Sequence, residues 1–129
     1  MKKYFVKHKL IAYLLVTFAC LLTLNTCSAN SVHIPGYSGS GFASIADLSS
    51  AVFQPSNPSE TIVAVCVKVI NRSGNVVESG VWYFGRNANG YIYVKTNPTE
   101  SWTEYYGPNH AYYENLNFFQ ELVIAAKNN

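Results

Sequence analysis

The sequence predicts an α+β fold: an antiparallel β-meander of three or more strands, with a short N-terminal helix and a C-terminal amphipathic helix. Two observations lead to this prediction. Valines stand at alternate positions from Val63 to Val69, which is the period of a β-strand. Further along, apolar residues recur at the three- and four-residue spacing of a helix, and they are Leu116, Phe119, Val123 and Ala126. A small all-β sandwich or barrel is the alternative.

Residues 1–29 have the layout of a secretory signal peptide. Four lysines precede an uncharged apolar run from Leu10 to Leu24, as in leaders whose N-terminus stays in the cytoplasm while the run enters the translocon. The run is shorter than the roughly 20 residues of a membrane-spanning helix. Small residues at positions 27 and 29 predict cleavage before Asn30. We therefore expect an exported bacterial protein, located in the periplasm, in the cell envelope or outside the cell.

A second processing route would leave a lipid anchor at Cys27. The segment Leu24-Asn-Thr-Cys27 resembles a bacterial lipobox, in which the cysteine is lipidated and becomes the first residue of the mature protein. The resemblance implies a lipoprotein of the cell envelope. A structural envelope component is accordingly one alternative function.

A flexible arm and then a single globular domain are expected after the leader. Residues 30–41 are rich in Gly and Ser and lack a period, which is typical of an arm. From Ser44 to Phe53 apolar residues recur at helical spacing, and Ser44 with Asp47 is similar to a capping box. A short helix is therefore predicted there, ended by the prolines that follow. The domain would span residues 42–129.

Three strands are predicted in the middle of the chain, at Thr61–Ile70, Val76–Phe84 and 91–96. The first is apolar on both faces until Lys68, which indicates a central strand. Clusters of turn-forming residues separate the three strands. The second cluster ends in Asn-Gly, a pair that readily adopts positive φ. Short connections of this kind favour an antiparallel meander.

Residues 97–113 have no clean period and are predicted to form a loop. In the C-terminal helix the face opposite the apolar stripe is polar, with Asn117, Gln120, Glu121 and Lys127. Such a helix is expected to lie on one face of the sheet.

The charge balance of the predicted mature chain excludes several classes of partner. Without the four lysines of the leader, five basic residues remain against seven acidic ones, a net charge of −2. A weakly acidic chain without a basic stripe argues against nucleic-acid binding, which depends on Lys and Arg. Membrane contact is expected only through the leader or a lipid anchor, and self-association is left open.

Cysteine and histidine usage argues against metal and redox chemistry. Cleavage before Asn30 would leave Cys66 as a lone cysteine, without an internal disulfide. In the middle of a valine-rich strand, Cys66 is expected to be a small buried side chain. His33 and His110 have no metal-ligand spacing, so neither a metal site nor a cofactor is predicted.

The sequence has neither a Gly-x-Ser-x-Gly elbow nor a Gly-rich phosphate loop, and we expect a protein that is not an enzyme. Glu104 lies among aromatic residues and His110 follows shortly after, so a small hydrolase that uses these two groups is a further alternative. That alternative requires both groups and another polar side chain to converge in one cleft.

The excess of aromatic residues favours a binding function. After the leader, 15 aromatic residues remain, eight of them Tyr. In the third strand Ile92 and Val94 point to one face, and Tyr91 and Tyr93 to the other. An aromatic surface of this kind stacks on sugar rings or anchors a protein partner. The predicted contact residues are Tyr91, Tyr93, Trp102, Tyr105 and Tyr106, with Asn89 or Glu104 as polar partners.

Two short resemblances accompany these patterns. Residues 65–84 resemble the hairpin of bacterial immunoglobulin-like and carboxypeptidase-regulatory-like modules, which implies a β-sandwich. Residues 65–68 and 91–106 are similar to parts of the sugar-binding B subunits of pertussis-like and subtilase-like toxins, which implies glycan binding.

Overall fold

The structure, a computed structural model, describes residues 30–129. The predicted leader and the lipidation site at Cys27 lie outside the described residues. In the described part, six strands precede one helix: β1 (Ser31–Gly39), β2 (Phe42–Gln54), β3 (Thr61–Ile70), β4 (Val76–Arg86), β5 (Ile92–Lys95), β6 (Thr103–Tyr106) and α1 (Tyr113–Asn128). None of these residues belongs to a helix that is both long and apolar enough to cross a membrane.

The six strands form one antiparallel sheet in which each strand pairs with its neighbours in the chain. The sheet curls into a half-barrel, with β1 and β6 as its two edges. We call the face that α1 covers the inner face and the opposite one the outer face. The predicted meander and the C-terminal helix are confirmed, although the fold is mostly β.

The short helix predicted from Ser44 to Phe53 is wrong, because these residues belong to β2. The register of β2 against β3 shifts between Asp47 and Val52, so residues 48–51 lie opposite Val65 alone. This bulge displaces the strand alternation, and apolar residues then fall three and four positions apart as they do in a helix. The spacing comes from the bulge.

Side chains satisfy the backbone groups that the bulge frees. Ser50 Oγ donates to the Asp47 carbonyl at 2.7 Å and accepts the Cys66 N–H at 2.8 Å. The side-chain amide of Asn129 donates to the carbonyls of Leu48 and Ala51, both at 2.9 Å. Buried backbone groups need such partners, so these side-chain hydrogen bonds stabilise the bulge.

The flexible arm predicted over residues 30–41 is also incorrect. Residues Ser31–Gly39 form β1, the first edge strand, paired with β2. Its register shifts between His33 and Ser38, where Pro35 lacks a backbone donor and Gly36 has a φ of +81°. Gly and Pro resembled a loop in sequence, but a bulged edge strand tolerates both.

The turns on either side of β4 share one design. In the first, Asn71 Oδ1 accepts the N–H groups of Ser73 and Asn75; in the second, Asn87 Oδ1 accepts those of Asn89 and Tyr91, all at 3.0 Å. A glycine with positive φ completes each turn. The predicted hairpins at these two turn clusters are confirmed.

The hydrophobic core lies between the inner face and α1. The largest of its fully buried side chains are Phe84, Phe119, Ile34, Ile92 and Leu122. Phe118, Phe119 and Leu122 come from α1, whereas the predicted stripe residues Leu116 and Val123 are only partly buried. The helix is thus rotated slightly from the position that the stripe indicated, and two adjacent phenylalanines meet the sheet.

A smaller cluster lies on the outer face, formed by Ala64, Cys66, Val81 and Tyr83. The valine-rich β3 is therefore buried on both faces, as its sequence predicts. Cys66 is only 2% exposed, as expected of a small buried side chain, and it is disulfide-bonded.

Candidate functional site

The sheet separates the predicted aromatic contact residues into two groups. Ile92 and Val94 of β5 are buried on the inner face, and Tyr93 alternates with them toward the outer face. Trp102, just before β6, also lies on the outer face, next to Gly85. Tyr105 lies in the core instead. The predicted surface is therefore smaller than the sequence indicated.

Tyr93 and Trp102 line a cleft on the outer face, which we call the aromatic cleft. It has a volume of about 280 Å³, and its lining is largely apolar. Its other lining residues are Glu60, Ile62, Gly85, Arg86 and Asn87. An apolar floor with a few polar groups at the rim is the usual composition of a small-molecule binding site.

The ring of Trp102 is held in place from two sides. Lys95 Nζ lies 4.8 Å from the centre of this ring and 5.4 Å from that of Tyr83, within the range of a cation–π interaction. A Cβ atom added at Gly85 would lie 3.3 Å from Cη2 of the indole. Because Gly85 has no side chain, the ring can lie close to the backbone of β4. Trp102 is nevertheless 39% exposed, which leaves part of the ring open to a ligand.

Asn89 and Tyr91 lie at the edge of this site. Both belong to the turn that is organised by Asn87, a residue of the cleft rim. Asn89 is exposed, and Tyr91 is 36% exposed. The turn thus places one amide and one phenol beside the cleft.

Tyr105 is a core residue with almost no exposed surface. It is 3% exposed, and its hydroxyl donates to the Pro35 carbonyl at 2.7 Å. Its ring packs edge-on against Phe84 and Phe118. Burial raises the pKa of this hydroxyl far above its ordinary value, and Tyr37 and Glu114 raise it further. The alternation of residues along β6 could not show this burial. Tyr106 pairs with Ile92 and Glu104 pairs with Tyr93, so Tyr105 is the extra residue of a bulge in β6.

Tyr106 is half-buried and packs against the core. Its ring centre lies 6.5 Å from that of Tyr113, at the start of α1. This places Tyr106 among residues that position the helix. Neither Tyr105 nor Tyr106 lines the aromatic cleft.

A second cleft lies where the two edges of the half-barrel approach each other, and we call it the seam cleft. It has a volume of about 510 Å³. Residues of β1, β6, the following loop and the start of α1 line it, among them Tyr37, Glu104, Tyr105, His110, Glu114 and Asn115. The hydrogen bond from Tyr105 to Pro35 joins the two edges at this point.

Glu104 and His110 meet in the seam cleft. Glu104 Oε2 lies 3.0 Å from His110 Nδ1 and accepts the Asn109 N–H at 3.1 Å. A Cβ atom added at Gly107 would lie 2.7 Å from Oε1 of the same carboxylate. Through these contacts the carboxylate of Glu104 closes the loop over 107–110. Glu104 and His110 also share one cleft with the polar side chain of Asn115, which is the arrangement that the hydrolase alternative requires.

Sequence reasoning missed several residues of the two clefts. Ile62 and Gly85 form the floor of the aromatic cleft, and Tyr37 forms a wall of the seam cleft. A single glycine within a strand often marks the close approach of another group, so Gly85 between aromatic and basic neighbours was a usable signal. Tyr37 offered none, because its segment was interpreted as an arm.

Comparison with known protein families, curated proteins and solved structures finds no match to this chain. In residues 30–129, no group of three or more His, Cys, Asp or Glu side chains is placed to hold a metal ion.

Proposed function

We propose that this protein is an exported, non-enzymatic binding domain whose aromatic cleft binds a glycan. The layout of residues 1–29 supports export, and mass spectrometry of the mature N-terminus distinguishes a free Asn30 from a lipid on Cys27. The observation that carries the binding proposal is the exposed Trp102 ring over the floor formed by Gly85 and Ile62.

The chemistry of the aromatic cleft suits a sugar. A pyranose ring has a face of C–H groups that stacks on an indole, and hydroxyl groups around its rim that need polar partners. Trp102 and Tyr93 supply aromatic surface, while Asn87, Arg86 and Glu60 supply an amide, a cation and a carboxylate. A protein side chain inserted into the cleft would use the same apolar floor and fewer of these rim groups.

The size of the cleft indicates what part of a glycan it would take. Its volume of about 280 Å³ lies just below the range for drug-sized ligands, about 300–1,000 Å³. The cleft is therefore suited to one sugar unit of a longer chain. Exposed residues of the neighbouring turn, Asn89 and Tyr91, would contact the adjacent unit.

Substitution of the central aromatic residue tests this proposal. The purified protein would be screened against an array of neutral and acidic oligosaccharides, and the best-bound one used in calorimetric titrations. We expect Trp102→Ala to weaken binding at least tenfold, since a central aromatic contact contributes about 2 kcal/mol or more. Tyr93→Ala is expected to weaken binding as well.

Tyr113→Ala is the matched control, because Tyr113 is 72% exposed and lies outside both clefts. It should bind like the unmodified protein. Circular dichroism of each variant would show whether the fold is retained. Failure to bind any oligosaccharide, unchanged affinity of Trp102→Ala, or unfolding of both cleft variants would each contradict the proposal.

A further inference from the structure

The seam cleft has a chemistry different from that of the aromatic cleft. Its lining offers carboxylates, phenol rings, an amide and the imidazole of His110, which is paired with Glu104. None of the described residues that line it is Lys or Arg. We propose that the seam cleft binds an organic cation, an ammonium or guanidinium group, at a site separate from the aromatic cleft.

Aromatic rings form one wall of the cavity. The ring centres of Tyr37 and Tyr105 lie 6.0 Å apart, and Tyr37 is held edge-on by Trp82 at 4.9 Å. Tyr112, which also lines the cleft, is 58% exposed and adds a third ring near its mouth. Ring faces attract ammonium and guanidinium groups, so this wall favours a cation over a neutral polar ligand.

Acidic side chains surround the same cavity. Glu104 and Glu114 line it, and Glu100 lies close enough to raise the pKa of the Tyr37 hydroxyl, although burial of that hydroxyl is the larger cause. Burial and Tyr37 raise the pKa of Tyr105, and Glu114 raises it further. The carboxylates that line the cleft would attract a bound cation.

A buried amide gives the site a third component. Asn115 is only 5% exposed and lines the cleft. Its Nδ2 donates to the Tyr105 carbonyl at 2.7 Å, which fixes the orientation of the amide. An amide oxygen accepts N–H groups, so Asn115 Oδ1 would be an acceptor for an N–H group of the bound cation.

Glu104 is largely committed to the loop, through Asn109 and His110. Glu114 is exposed at the start of α1 and accepts no hydrogen bond from a described side chain. Glu114 is therefore the carboxylate that a cation would reach, and Asn115 and Tyr37 line the same cleft.

The probe for the test is a lysine residue blocked at both ends, compared with its Nε-acetylated form. Binding would be followed by NMR chemical shifts of the full-length mature protein. We expect the charged form to shift the amide signals of Asn115 and Tyr37, and the acetylated form to leave them unchanged. Glu114→Gln should weaken binding about three- to tenfold, the size expected for one partly exposed charge contact.

Glu121→Gln is the matched control, because Glu121 is an exposed acid of α1 that lines neither cleft. Further arms with spermidine and with a lysine-containing tetrapeptide distinguish a free amine from a basic peptide, and preference for either supports the proposal. Equal binding of the acetylated lysine would overturn it, as would equal effects of Glu114→Gln and Glu121→Gln. Because this test measures binding of a cation in the seam cleft, its outcome does not depend on whether Trp102→Ala weakens glycan binding in the aromatic cleft.

Discussion

At the scale of single residues, a few individual residues determine the shape of each cleft. The missing side chain of Gly85 lets Trp102 lie against β4, and the carboxylate of Glu104 closes the loop beside the seam cleft. Tyr105 has another task, since its hydroxyl bonds to β1 while its ring fills the core. One residue thus joins the two edges of the sheet.

Removal of the Tyr105 hydroxyl should destabilise the protein without changing its core packing. Tyr105→Phe leaves the Pro35 carbonyl without this donor, which typically costs about 1–3 kcal/mol. Denaturant unfolding measures the loss, and Tyr91→Phe at an exposed position serves as the control. Equal stability of the two variants would show that the bond between the sheet edges contributes nothing.

At the scale of elements, α1 supplies one side of the core, and its two faces should respond very differently to truncation. Leu122 is fully buried, whereas Ile124 is 59% exposed. Leu122→Ala removes buried methyl groups and leaves a cavity, a change that costs about 2–5 kcal/mol. Ile124→Ala should stay within about 0.5 kcal/mol.

Urea unfolding of both variants, followed by circular dichroism, provides the comparison. Similar losses at the two positions would mean that the exposed face of α1 is buried in solution. A loss at Ile124 that depends on protein concentration would indicate self-association through that face.

The sequence predicted the elements that follow a single period, and it failed where a bulge or an edge altered the period. β3, the turns at Asn71 and Asn87, and α1 were predictable from alternation, turn chemistry and helical spacing. β2 was not, because its bulge imitates a helical turn. β1 was not, because Pro35 and Gly36 resemble a loop when the neighbouring strand is unknown.

In the candidate site, too, residues in a regular strand were predicted correctly and a residue at a bulge was not. Alternation in β5 correctly placed Tyr93 opposite Ile92 and Val94. Tyr105 was misplaced because the bulge in β6 inserts it toward the core. The floor of the aromatic cleft comes from β3 and β4, and such contacts between strands require the register of the sheet.

At the scale of the whole molecule, buried tyrosines should make stability fall in alkaline solution. Burial raises the pKa of both Tyr37 and Tyr105 above the ordinary value. Above about pH 10 the unfolded chain therefore binds fewer protons than the native protein, and the free energy of unfolding decreases as the pH rises. Below about pH 10 these two hydroxyl groups stay protonated in both the native and the unfolded state, so they do not make the free energy of unfolding depend on pH.

Denaturant unfolding at several pH values between about 8.5 and 12 measures this slope. Tyr105→Phe should flatten it, because one buried titrating group is gone, while Tyr91→Phe should change it little. Identical slopes for the unmodified protein and Tyr105→Phe would contradict the assignment of the effect to Tyr105.

The position of α1 after all six strands has a consequence for how the protein is made. On the ribosome, the sheet emerges with its inner face uncovered, and Phe118, Phe119 and Leu122 of the helix arrive only afterwards. Each strand can pair early, since its partners are its neighbours in the chain. The core therefore closes last, once the side chains of α1 cover the inner face of the sheet.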